Sequence, residues 1–245
     1  MKAIILAAGR SKRLKDYIGD IPKSLIKIGS ESLLERHISI LNEFNVKEVI
    51  IIVGYLKEKI IENIGHKYKD TSIKYIDNQR FTEGNILSLY LGKEEMNDDL
   101  LVLDADVYCD KELLRKLIFS KNKNCLLMAT NENYTGEEVL IVANKEKVED
   151  LFFKTKVIGN FETIGENVGF AKICKEDASN LSKYLEYAIE NNMTHLDWEE
   201  FALRNLIQNQ NFGYELTENI PWIEIDFPHD VEKAKNEIYQ KIKSI

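Results

Sequence analysis

The chain has 245 residues, with 33 Lys and Arg against 41 Asp and Glu, a formal charge of −8. Its 44% hydrophobic and 30% charged content excludes wholesale disorder. The acidic balance argues against a nucleic-acid coat or an anionic membrane surface as partner, and the length allows a core without disulfide or metal staples.

In chain order, residues 3–8 (AIILAA) form a short apolar run ending at Gly9, the pattern of a strand buried on both faces. A basic loop runs from Arg10 to Lys23. Ser32 and Glu35 have capping-box spacing, and Leu34, Ile38, Leu41 and Phe44 recur at helical spacing. Residues 49–53 (VIIIV) predict a second strand, 55–68 a helix, 73–76 a third strand and 85–96 a helix. The fourth strand, 100–106 (LLVLDAD), ends in acids; a helix over 110–119 and a strand over 125–130 follow. Strands alternating with helices imply βαβ units and a mostly parallel sheet. In the second half, 138–144, 147–153 and 168–174 predict a mixed or antiparallel part. Helices near 176–191 and 198–209 come next, then a last strand at 222–227 and a closing helix over 228–243 opened by Pro228. No linker, repeat or charge block appears, so the expectation is one domain over 1–245. No apolar run approaches the roughly 18 residues of a membrane span, and the N-terminal stretch lacks an export pattern. Cys109, Cys125 and Cys174 share no metal-type spacing and read as reduced, buried thiols of a cytoplasmic protein. His37, His66 and His229 are isolated and read as satisfied surface or capping residues rather than ligands.

The basic loop is the most informative segment. Arg10, Lys12, Arg13, Lys15, Lys23 and Lys27 face only Asp16 and Asp20 in a chain that is acidic overall. The loop follows the first strand, at the carboxyl end of the sheet, where ligands bind in such folds. Gly9 lets backbone approach a ligand, and backbone N–H groups with Arg and Lys suit a polyphosphate. It is neither a P-loop nor a dinucleotide fingerprint, since Ser11 and Leu14 stand where glycines are needed. Asp104 and Asp106 close the fourth strand on one side, and Glu224 and Asp226 do the same on the last. Carboxylates at strand tips beside a polyphosphate suit Mg²⁺, whereas Asp110 and Asp230 read as helix N-caps. His195-Leu-Asp197-Trp198-Glu199-Glu200 packs three acids and an indole into six residues, which suits a cationic head group, with Trp222 as a second wall.

Leu6-Ala-Ala-Gly9, Arg13-Leu14 and Pro22-Lys23 together resemble the signature of the nucleotidyltransferase superfamily, with Ser11 in place of its usual Gly. The Trp222-to-Asp226 stretch and Glu83-Gly-Asn-Ile-Leu-Ser-Leu-Tyr-Leu91 resemble the phosphocholine and 2-aminoethylphosphonate cytidylyltransferase subgroup. The resemblance implies a Rossmann-like three-layer α/β/α sandwich with a mostly parallel mixed sheet. It implies a nucleotide-binding half over 1–110 and an acceptor-binding half over 111–245. Leu6, Ala8, Gly9, Arg10, Ser11 and Asp104 would line the nucleotide site. Gly84, Asn85 and Ser88 would sit near base and ribose. Arg13 and Lys23 would be catalytic, acting on the phosphates. Asp106, Glu224 and Asp226 would hold Mg²⁺. Asp197, Trp198, Glu199, Glu200 and Trp222, with Lys154 and less directly Lys156, would meet the acceptor. The implied activity joins CTP to a small phosphorylated or phosphonate acceptor and releases pyrophosphate, in a monomer or homodimer without nucleic-acid or membrane partners. A sugar-1-phosphate nucleotidyltransferase using UTP, dTTP or GTP, and a non-catalytic nucleotide sensor, are the alternatives.

Overall fold

The structure is a computed structural model and describes residues 1–130, 134, 136, 138–153 and 155–244. In chain order its strands are β1 (Lys2–Ala7), β2 (Lys27–Ile28), β3 (Glu31–Ser32), β4 (Glu48–Val53), β5 (Lys67–Tyr68), β6 (Thr71–Asp77) and β7 (Leu100–Asp104). Then come β8 (Val107–Cys109), β9 (Cys125–Ala129), β10 (Val139–Asn144), β11 (Lys147–Phe153), β12 (Thr163–Ile173), β13 (Gly213–Leu216) and β14 (Trp222–Glu224). The main sheet runs β11-β10-β12-β7-β1-β4-β6-β5, with β9 paired to β12 and β13. β1 lies between β4 and β7, parallel to both, with Ile5 opposite Ile51 and Leu103. β12 turns the sheet mixed by running antiparallel to β7, β9 and β10.

Alternation along β1 explains the layers. Ala3, Ile5 and Ala7 face the helices Leu33–Glu43 and Lys111–Phe119, while Ile4 faces helices Asn85–Leu91 and Lys175–Glu190 and the 199–209 helix. Fully burying each such aliphatic side chain is worth roughly 1.5–3 kcal/mol. The expected capping box is present: Ser32 Oγ accepts from the Glu35 N–H at 3.2 Å, and Glu35 accepts from the Ser32 N–H at 2.7 Å. All three cysteines are buried and unpaired. No helix among the described residues is long and apolar enough to cross a membrane.

Several expected boundaries move. The helix expected over 55–68 spans only Lys57–Ile64, because Gly65 takes a left-handed φ of 73° and the chain returns as β5. The 85–96 helix ends at Leu91, before Gly92. The fourth strand stops at Asp104, so Asp106 sits in a tight turn rather than on the strand. The strand expected over 222–227 stops at Glu224; beyond it the Ile225 N–H donates to the Asp106 carbonyl at 3.0 Å. β14 pairs antiparallel with β8, with Glu224 opposite Val107. β13 has no counterpart among the expected elements.

A small third apolar cluster bears on function. Leu14, Ile26, Ile28, Tyr108, Ile225 and Val231 are buried together under the closing helix. That cluster clamps the basic loop, the β8–β14 ribbon and the helical run from Pro228 to Lys243 into one unit.

Candidate active site

A cleft of about 590 Å³ opens at the carboxyl ends of β1 and β7. Leu6, Ala8, Gly9, Arg10, Ser11 and Arg13 form one wall, as the sequence leads one to expect. A Cβ on Gly9 would meet nothing within 4 Å, so the backbone there is bare towards the cleft. Ser11 holds φ at 49°, the left-handed region where glycine is most at ease. Leu14 is fully buried and pins the loop, leaving Arg13 more than half exposed at the cleft, with its guanidinium 4.9 Å from the Phe227 ring centre. Arg10 lies 5.8 Å from the Tyr55 ring centre.

Lys23 enters from the far end of the loop. Its ammonium stands 2.7 Å from Asp106 Oδ2 and 2.8 Å from Asp226 Oδ1, and Arg13 reaches Asp226 Oδ2 at 3.2 Å. Burial pulls the Lys23 ammonium down, but Asp106 and Asp226 outweigh it and raise its pKa, so it stays charged. Asp106, Glu224 and Asp226 each offer a carboxylate oxygen within 4.8 Å of the others. Asp106 Oδ1 is buried without a hydrogen-bond partner. Glu224 is exposed at the cleft, yet desolvation by the surrounding protein, then the charges of Asp106 and Asp226, push its carboxyl above the usual range. An acid triad with an orphaned oxygen and one carboxyl held above its usual range fits a divalent oxygen-loving cation.

A second acidic group, Asp104, Asp197 and Glu199, lines the same cleft. Glu199 is only 5% exposed, and its Oε2 is buried without a partner. Burial, followed by the neighbouring Asp197 charge, pushes its carboxyl up to about 8, against hydrogen bonds from its own backbone N–H and from Asn85. Asp104 is raised well above its usual value by burial and then by Glu199 and Asp106. Gly169, at φ 83°, leaves the room it needs: a Cβ there would stand 2.5 Å from Asp104 Oδ2.

Asn85 and Ser88 both line the cleft, yet each is already engaged. Asn85 Oδ1 accepts from the Trp198 N–H at 2.7 Å, and Ser88 Oγ accepts from Asn78 at 2.9 Å. Gly84 does not line the cleft. Its bare Cα is needed elsewhere, since a Cβ would fall 1.9 Å from the Leu196 carbonyl oxygen. Asn85 thus ties the acidic 195–199 segment to its helix.

Some expectations fail. Trp198 is 1% exposed and belongs to the core beside β1, so its indole is no wall for a ligand. Trp222 packs against the other core face, and neither it nor Glu200 lines the cleft. Lys154 lies outside the described residues, and Lys156 is exposed and away from the cleft. His37 is no surface residue: it is fully buried, and its Nε2 donates to the Val107 carbonyl at 2.7 Å. Asp110 does cap its helix, accepting from the Glu112 N–H at 2.8 Å, and Asp230 accepts from the Phe227 N–H at 2.7 Å. The sequence reading missed Glu83, Glu138, Phe153, Glu166 and Phe227 in the lining. Glu166 is the lone acid of β12, flanked by Gly165 and Asn167, and no apolar alternation there singles it out.

Comparison with known proteins agrees with this geometry. The family model described as MobA-like NTP transferase domain matches residues 3–152. The choline-phosphate cytidylyltransferase of Streptococcus pneumoniae is 34% identical over 157 residues, 64% of this chain and 65% of that enzyme. The matched stretch is thus just under two thirds of that relative's length. The D-glycero-alpha-D-manno-heptose 1-phosphate guanylyltransferase of Campylobacter jejuni is 28% identical over 197 residues, 74% of this chain and 88% of that enzyme. A solved structure of CTP:phosphocholine cytidylyltransferase from Streptococcus pneumoniae superposes with a TM-score of 0.82 at 28% identity, covering 96% of this chain and 97% of that one. With its matched family model, its sheet and its loop of cations over a carboxylate triad, the chain belongs to the MobA-like NTP transferase family.

Proposed function

We propose that the chain is a cytidylyltransferase that joins CTP to a small phosphorylated or phosphonate acceptor. The carrying observation is Lys23, held between Asp106 and Asp226 beside Arg13, at the mouth of a cleft whose floor is the end of β1. In the reaction an acceptor oxygen attacks the α-phosphorus. The new oxygen–phosphorus bond forms as the bond to the bridging oxygen of the β-phosphate breaks, and pyrophosphate leaves with that electron pair. The chain's part is positioning and electrostatics. Backbone from Ala8 to Ser11 cradles the triphosphate, and Arg13 and Lys23 balance charge on the equatorial and leaving oxygens. Asp106, Glu224 and Asp226 would hold Mg²⁺, which supplies charge neutralisation and a fixed arrangement of phosphate oxygens. Similarity to choline-phosphate cytidylyltransferase supports CTP as donor.

The test is pyrophosphate release with Mg²⁺, crossing CTP, UTP, ATP, GTP and dTTP against phosphocholine, 2-aminoethylphosphonate, phosphoethanolamine and glucose-1-phosphate. Turnover confined to CTP and an amine-bearing acceptor is expected. Similarity to the heptose-phosphate guanylyltransferase supports a second reading, a sugar-1-phosphate nucleotidyltransferase. Turnover of a sugar phosphate with another nucleotide would select it.

A further inference from the structure

We propose that the acceptor carries a primary ammonium rather than a quaternary one, and that Glu199 is the residue that selects it. This rests on the cytidylyltransferase reading and specifies its acceptor. Asp104, Asp197 and Glu199 line the cleft together, and Asp104 lies opposite Leu6 at the end of β1. Glu199 is buried, with one carboxylate oxygen lacking any partner. Among the described residues none of these three carboxylates forms an ion pair, whereas Lys23 and Arg13 pair with Asp106 and Asp226. Asn85 gives Glu199 a neutral hydrogen bond and no countercharge.

Ionising a buried carboxyl that has only neutral hydrogen bonds and no countercharge is costly, so a cationic ligand that also donates to the unpartnered Oε2 is strongly favoured. A primary ammonium has three N–H donors and a full charge. A trimethylammonium has the charge but no donor, and proteins recognise it with aromatic cages. The described lining offers no such cage. Trp198 is buried in the core and Trp222 lies outside the cleft. Of the rings that do line it, Phe81 leans on Tyr55 with centroids 6.0 Å apart and Phe227 lies under Arg13. A sugar hydroxyl can donate to Glu199 but brings no countercharge.

The experiment follows pyrophosphate release from CTP with phosphoethanolamine and its mono-, di- and trimethylated forms. The inference predicts that kcat/KM falls with each methyl, with at least about a tenfold loss at the trimethylated end, because donor-lacking analogues leave buried polar groups unpaired. Glu199→Gln should raise KM for phosphoethanolamine by about tenfold or more and abolish the methylation preference. Asp197→Asn, changed at a half-buried position, provides a second variant and should weaken the same preference. Equal or better use of the trimethylated acceptor would overturn the inference and leave the cytidylyltransferase reading standing. An unchanged preference in a folded Glu199→Gln protein would do the same. Absence of pyrophosphate release with every acceptor would instead remove the underlying reading, and the inference with it.

Discussion

Lys23 is a cation committed to two carboxylates, and that commitment gives it a measurable role. Removing it takes away the countercharge of Asp106 and one of the two cations on Asp226, together with the proposed contact to developing phosphate charge. Lys23→Ala should lower kcat/KM by roughly 2–4 kcal/mol, about 30- to 1,000-fold, with the fold retained by circular dichroism. Steady-state pyrophosphate release checks this, and near-wild-type turnover would contradict the electrostatic role. His37 yields a pH prediction. Burial lowers its pKa to about 4, against a hydrogen bond to Val107 that opposes the shift. The native protein therefore binds this proton less readily than the unfolded chain. Stability from this residue is complete above about pH 6.5 and is lost as pH falls through 4, by roughly 3 kcal/mol. Denaturant titrations across that window should show the slope, and His37→Gln, which keeps an N–H donor, should flatten it. At this scale the sequence was legible where chemistry is concentrated: Arg13, Lys23, Asp106, Glu224 and Asp226 all meet at the cleft. An indole among acids looks like a ligand wall, whereas Trp198, at the cap of the helix that starts at Glu199, packs into the core.

At the scale of elements, two glycines with opposite surroundings separate packing from ligand access. Gly84 lets the start of its helix touch the 195–196 backbone, and a Cβ there would lie 1.9 Å from the Leu196 oxygen. Gly84→Ala should cost more than roughly 2 kcal/mol in denaturant unfolding, since only backbone can give way. Gly9→Ala meets open space, so stability should be retained while nucleotide affinity falls in a binding titration. Equal stability loss in both would contradict the assignment. Strands with strong apolar runs were legible, β1 and β4 above all. β13 (GYEL) was not, because it is short, lacks alternation and is fixed by parallel pairing to β9 rather than by its own pattern. The helix over 57–64 was over-extended because one glycine, Gly65, decides its end.

For the whole molecule, the sheet places the basic loop after β1, the turn after β7 and the tip of β14 around one cleft. These segments are far apart in sequence, and the closing helix binds them through one apolar cluster. The alternating first half made the parallel sheet legible. The way β12 crosses back to join β7, β9 and β10 was not, since antiparallel return partners are chosen by tertiary fit rather than by local pattern. The central claim is that an acceptor oxygen ends up bonded to the α-phosphorus. The most direct test uses an acceptor whose phosphate carries heavy oxygen, incubated with CTP and Mg²⁺ and followed by phosphorus NMR and mass spectrometry. The account predicts label in the new phosphorus–oxygen–phosphorus bridge of the nucleotide product and unlabelled pyrophosphate in equal amount. A labelled acceptor returned unchanged, with CTP merely hydrolysed or bound, would contradict it.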